Sequence, residues 1–323
     1  IVSVCLFFYV FGVLRVDYGL KHLYPRLMLL IVALISLSCY SKAIYLKQNY
    51  RNESISLKVA IKENKWNILA IVLFAISLLS IGSRGSVIFL ILFSMGIVDK
   101  YYYKLKIGFV IPMFLFAIIF MSILTLTRTT SINLSNSSIW DVVENGYGQI
   151  SKSANFLWVV LLDLIVNART LYDGIEYTIS QGYLYGASYI QYFFCFVPGG
   201  GMFITSFLLD KTTMEVATGE ILTKFSHAPY GIGTNMIGDI YMNFSLIGVI
   251  VLLFLFGILV GRCESCETKY QSFLYYSLLA NSIYVPRASV FCWIDLFVML
   301  VLCELLFRSI SKRYCINIGK IHL

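Results

Sequence analysis

Long apolar runs alternate along the chain with short clusters of basic residues. The apolar segments are residues 1–14, 27–46, 66–82, 85–98, 108–126, 240–260, 273–285 and 290–307. A helix needs roughly 17–25 apolar residues to cross a bilayer core, and several runs reach that length. Residues 66–98 are too many for one span at about 1.5 Å per residue, and Ser83-Arg84-Gly85 interrupts them. They predict a helical hairpin with Arg84 at its apex. Residues 1–14 start without Met and read as the tail of a span that begins upstream, with no basic n-region or cleavage site of a signal peptide. The pattern predicts an all-α polytopic membrane protein with about eight visible spans.

Orientation follows from the bases in the connections. Residues 41–65, 99–106 and 262–269 and the tail after 307 carry most of the Lys and Arg, which places them on the cytoplasmic side. The connection 15–26, with three bases, is the discordant one. Residues 127–239 then form one long outward loop with nine acids against five bases. A loop of that length is not a mere connector. Its apolar stretch 156–166 and aromatic run 183–197 are too short to span and predict interfacial or re-entrant helices covering a site. The tyrosines crowded there suit an interfacial belt or stacking against sugar rings. Three regions result: N-terminal transmembrane helices (1–126), the large outward loop (127–239), and C-terminal helices with a cytoplasmic tail (240–323).

Composition narrows the class. Of the 323 residues 59% are hydrophobic and 13% charged, with a mean hydropathy of +0.81, which no soluble domain requires. The net charge of +8 does not point to nucleic acid, because the bases sit between spans as membrane anchors. Of the eight cysteines only Cys195 lies in the outward loop, so no disulfide framework is expected there. Cys263-Glu264-Ser265-Cys266 is a lone pair and a weak metal signal.

Candidate chemistry gathers at polar residues opening on the outward side. Arg84, among small residues beside apolar spans, is costly to place there and points to function; interfacial snorkelling is the plainer alternative. Arg287 occupies a comparable turn in Val285-Pro286-Arg287-Ala288-Ser289. Guanidinium forks grip phosphate oxygens bidentately, so the two suit a diphosphate leaving group. Arg169 and Arg128 are weaker candidates of the same kind. The segment from His227 to Asn235 runs straight into the apolar stretch 240–260. There Tyr230, Gly231, Gly233, Thr234 and Asn235 form a helix mouth whose backbone N–H groups suit an anion. The alternative is a helix-entry turn capped by Thr234 or Asn235. His227 titrates near neutrality and is the first candidate general base, a structural loop histidine being the alternative. Asp239, sharing a helix face with Asn243 at i, i+4, is the second. No histidine–carboxylate cluster stands at ligand spacing, so no metal site is expected.

Four passages resemble the Wzy-type O-antigen (oligosaccharide repeat unit) polymerases of bacterial inner membranes. They are Ile81-Gly82-Ser83-Arg84-Gly85; Tyr185-Gly186-Ala187-Ser188-Tyr189 with Phe196-Val197-Pro198; the stretch 227–260; and Pro286-Arg287-Ala288-Ser289. One departure is Pro198-Gly199-Gly200-Gly201, where members often carry basic and tryptophan residues. The resemblance implies a metal-independent glycosyltransferase, without cofactor or nucleotide sugar, at the periplasmic face. Its substrate would be an undecaprenyl-diphosphate-linked oligosaccharide, its surroundings membrane lipid, and a chain-length regulator protein a possible partner. Arg84, Arg287 and Arg169 would then bind diphosphate and His227 or Asp239 serve as base. An O-antigen ligase is the nearest rival in chemistry. A repeat-unit flippase is a rival of another class, but transporters need paired charges inside spans.

Overall fold

The computed structural model describes residues 25–50, 57–80, 84–106, 108, 111–112, 156–193, 200–228, 231–265, 268–282 and 284–321. Among them every regular element is helical and no strand occurs. The chain divides into two compact units, one of Ile1–Met28 with Cys39–Arg169 and one of Leu29–Ser38 with Thr170–Leu323.

In the first unit, helix α1 (Pro25–Asn49), part of which belongs to the second unit, precedes α2 (Leu57–Glu63), α3 (Lys65–Ser80) and α4 (Arg84–Ile97). Helices α3 and α4 pack together, and Arg84 opens α4. Ala70, Phe74 and Leu78 of α3 are buried at helical spacing, as are Val87, Leu90 and Phe93 of α4. Leu69, Val72, Leu73 and Ile76 on α3 are exposed, an apolar face suited to lipid. Lys42 pairs with Glu63 at 3.0 Å, and Asn64 donates to the Ala60 carbonyl (2.8 Å) and to the Tyr102 hydroxyl (3.1 Å).

Helix α5 (Phe156–Gln181), whose residues from Thr170 on belong to the second unit, extends well beyond the interfacial segment expected at 156–166. Over its described part, 183–193, the aromatic run expected as a helix at 183–197 is instead a turn, a single 3₁₀ turn at Ala187–Tyr189 and the short α6 (Ile190–Phe193). Gly182 (φ 86°), Tyr185 (φ 50°) and Gly186 (φ 83°) adopt left-handed backbone there, which ends any helix. Next come α7 (Gly200–Leu209), α8 (Thr213–Val216), α9 (Thr218–Phe225), α10 (Met236–Glu264), α11 (Lys269–Asn281) and α12 (Ile294–Ile321). Neighbours α10, α11 and α12 pack in sequence order. Glu304 of α12 holds both Lys269, at the start of α11, and Arg308 one turn on.

Two helices among the described residues are long and apolar enough to cross a membrane, Met28–Asn49 and Met236–Glu264. On α10, Leu246, Ile247, Ile250, Val251, Phe254 and Leu255 are all exposed, a continuous apolar face on an otherwise packed bundle. The predicted segments at 1–14 and most of 108–126 lie outside the described residues.

Candidate active site

The site is built where α10 begins. Asn235 caps the helix, its side-chain oxygen accepting from the amides of Ile237 (2.9 Å) and Gly238 (3.4 Å). Two donors that a helix mouth would offer an anion are therefore taken by the protein itself. Gly238 presses against Leu171 of α5, and Gly174 of α5 faces Met242. A methyl carbon placed on Gly238 would lie 3.5 Å from the Leu171 Cα, and one on Gly174 would lie 3.4 Å from the Met242 sulfur. These small residues bring α5 and the head of α10 close together and bury Asp239 and Asn243 completely.

Helix α10 is then broken. Phe244 (φ −139°, ψ 15°) and Ser245 (φ 61°, ψ −168°) leave helical conformation two turns in, and Ser245 adopts a backbone that side chains other than glycine's rarely take. The turn after α5 holds the broken end. The Leu184 amide donates to the Met242 carbonyl at 2.8 Å. The Asn243 side-chain oxygen accepts from the Gly186 amide (3.1 Å) and the Ser188 hydroxyl (3.1 Å), and its amide nitrogen donates to the Asp239 carbonyl (2.7 Å). Asn243 thus ties the tyrosine-rich turn to the head of α10. The break also folds the Phe244 Cβ over Gly248, where no side chain would fit.

Beside this latch lies a cavity of about 100 Å³. One wall is Ser188, Gln191 and Tyr192; another is Ala217, Thr218 and Gly219 at the start of α9; Thr234, Asp239 and Ser289 complete it. The Thr218 hydroxyl donates to Asp239 Oδ1 at 2.6 Å. The hydroxyls of Tyr189 and Ser289 and the amide of Val290 stand beside the same carboxylate. Even so, Asp239 Oδ2, Thr234 Oγ1 and the Tyr189 hydroxyl are buried without a hydrogen bond of ordinary geometry. Burial, reinforced by the neighbouring Asp239 charge, pushes the Tyr189 and Tyr192 phenols up, so both remain protonated donors. No Lys, Arg or His lines the cavity among the described residues. A carboxylate taken out of water without a paired cation is costly and needs donors from somewhere. Thr218, Tyr189, Ser289 and the Val290 amide are placed to supply them, and a ligand hydroxyl in the cavity can add to these.

Of the residues expected from sequence, Thr234 and Asp239 are brought together in the cavity wall, and Asn235 is the helix cap. Gly233 (φ 75°) lets the chain turn tightly and packs against Gly219 and the Arg287 carbonyl. Gly231 is exposed. His227 is exposed on the turn that closes α9, with left-handed backbone (φ 49°), and is not among the residues lining the cavity. Arg287 is exposed in the 3₁₀ turn Val285–Arg287. Arg169 is exposed on α5, and Arg84 opens α4, both in the first unit. The Arg84 side chain, Tyr230 and Arg128 lie outside the described residues. Thr218 was missed from sequence: a lone threonine at a helix start carries no signature beyond a capping preference. Ser188 and Ser289 stood inside two of the passages quoted for their resemblance, without a role of their own.

An apolar helix interrupted beside a buried carboxylate, with a polar cavity held at the interruption, marks a membrane protein that handles a polar ligand rather than a simple anchor. A family model described as O-antigen polysaccharide polymerase Wzy matches residues 54–317, and the chain belongs to that family. It is accordingly a membrane enzyme of the glycosyltransferase type, in lipopolysaccharide biosynthesis, that polymerises O-antigen repeat units carried on lipid. The match contains every residue lining the cavity. No curated protein and no solved structure matches the chain.

Proposed function

We propose that the chain joins undecaprenyl-diphosphate-linked repeat units at the periplasmic face of the inner membrane, as a multi-pass protein. The growing oligosaccharide leaves its lipid diphosphate, and its anomeric carbon bonds to a hydroxyl oxygen of the lipid-linked acceptor unit. The acceptor hydroxyl gives up its proton to Asp239, and the diphosphate leaves with the bonding electron pair. Arg84 and Arg287 stabilise that diphosphate, and Arg169 is a further candidate for contact with it. Between the two candidate bases the geometry favours Asp239. One of its oxygens is buried at a polar cavity without a hydrogen bond of ordinary geometry, and this observation carries the reading. His227, on an exposed turn, serves the approach of substrate.

The test is extension of lipid-linked repeat units by purified protein in lipid nanodiscs. Removing a general base costs about 10²–10⁴-fold, so Asp239→Asn should lose at least a hundredfold in turnover while His227→Ala loses far less. Full activity in Asp239→Asn beside an inactive His227→Ala would reverse the assignment. Wild-type chain lengths in the double variant Arg84→Ala, Arg287→Ala would remove the diphosphate contacts. Transfer to lipid A core without extension of repeat units would turn the reading into ligation.

A further inference from the structure

The cavity at Asp239 also restricts what kind of sugar it can receive. Its volume, about 100 Å³, is smaller than the ~150 Å³ cavity that encloses a benzene ring. It therefore takes one edge of a single pyranose, not a disaccharide. Its wall carries one carboxylate and no cation among the described residues. A phosphate or uronate placed there would face Asp239 with nothing to neutralise either charge. Around it, Thr234 Oγ1 is buried without a hydrogen-bond partner, and Asp239 Oδ2 and the Tyr189 hydroxyl stand beside each other without a hydrogen bond of ordinary geometry. The carboxylate oxygen must receive a hydrogen, while the threonine hydroxyl can donate or accept. A sugar hydroxyl both donates and accepts, and an acetamido N–H donates; either meets this demand.

Resting on the polymerase reading, we infer that this cavity is a one-sugar acceptor subsite for a neutral, uncharged monosaccharide edge, with Thr234 as a specificity-determining hydroxyl. The lipid diphosphates bind elsewhere. Thr234 is well suited to the role because it is nine-tenths buried, on the glycine-rich segment just before the helix cap, and free to choose its partner.

Saturation-transfer NMR on the purified full chain in nanodiscs tests this without requiring any transfer reaction. The probes are methyl glycosides of glucose, galactose, mannose and N-acetylglucosamine, methyl glucuronide, and inorganic pyrophosphate as competitor. At least one neutral glycoside should give a signal that falls roughly three- to tenfold in Thr234→Val, the loss of one neutral hydrogen bond. Thr234→Ser should restore it, which separates a lost hydroxyl from a misfolded variant. Methyl glucuronide should give no signal and pyrophosphate should not compete. Binding of no neutral glycoside, an unchanged signal in Thr234→Val, or displacement by glucuronide or pyrophosphate would each overturn the inference. Thr234-dependent glycoside binding by a protein that extends no repeat unit would sustain the subsite and defeat polymerisation. Repeat-unit extension with a Thr234→Val signal equal to wild type would do the reverse.

Discussion

The Asn243 latch is the most direct structural claim to break. Asn243 is completely buried, and its side chain holds the Gly186 amide, the Ser188 hydroxyl and the Asp239 carbonyl. In Asn243→Ala the Gly186 amide and the Ser188 hydroxyl lose this partner, and a buried unsatisfied group costs about 1–3 kcal/mol. With the Asp239 carbonyl still engaged by the helix, the two together predict a loss of roughly 2–6 kcal/mol. Unfolding in detergent can be followed with a thiol-reactive dye, because the thiols of Cys39, Cys263 and Cys303 are buried. A double-mutant cycle with Ser188→Ala should give a coupling of about 0.5–3 kcal/mol. Hydrogen exchange at the Leu184 and Gly186 amides should accelerate, since both bonds to α10 depend on the latch. Asn243→Asp keeps the acceptor but turns an oxygen toward the Asp239 carbonyl, so it should not rescue. A change in Asn243→Ala within about 0.5 kcal/mol, as expected of an ordinary surface substitution, together with zero coupling would refute the latch.

Gly248→Ala should lose about 1–3 kcal/mol by overpacking, because the new methyl meets the Phe244 Cβ. Phe244→Ala, which keeps that carbon, should not relieve it, whereas Phe244→Gly should; equal dye-monitored melting of Gly248→Ala and wild type would refute the folded-over break. The Glu215 carboxyl is held below its ordinary value of 4.5, chiefly by the Thr212 amide and then by its hydroxyl. A depressed carboxyl stabilises the fold above its ordinary range and loses that contribution as pH falls through the folded value. Exchange of the α8 amides should therefore quicken on acidification below about pH 4.5, and Glu215→Gln should flatten this dependence; an unchanged profile would count against the capping box.

Hydropathy made the start of α4 legible, because an arginine between small residues is a plain interruption of an apolar run, and α4 does begin at Arg84. It also located α1 and α10 to within a few residues. It failed on α5, where a search for lipid-compatible runs stopped before Arg169, Asp173 and Glu176. Thr170, Gly174 and Thr178 continue on one buried helical face there, the residues on either side being less buried. It failed again over residues 183–189, where aromatic content suggested an interfacial helix and left-handed backbone at Tyr185 and Gly186 interrupts it. The break at Phe244–Ser245 had no proline or glycine to announce it. It follows from bonds supplied by a turn some sixty residues earlier, which no local pattern contains. In the candidate site, Asp239, Thr234 and Asn235 were legible from their position at the start of an apolar helix. Thr218, Ser188 and Ser289 became meaningful only when three separate segments met around one carboxylate.

The interruption of α10 also bears on how the enzyme experiences its membrane. The part of the helix after Ser245 presents its apolar face outward, and a lipid-embedded helix answers a thicker or thinner bilayer by tilting. A rigid rod would carry that tilt straight to its first turn. With the ladder of backbone bonds cut at Phe244–Ser245 and the first two turns pinned by Leu184, Gly186 and Thr218, the rotation is absorbed at the cut. Asp239 keeps its neighbours while the rest of the helix follows the lipid, so the cavity beside it is insulated from bilayer thickness.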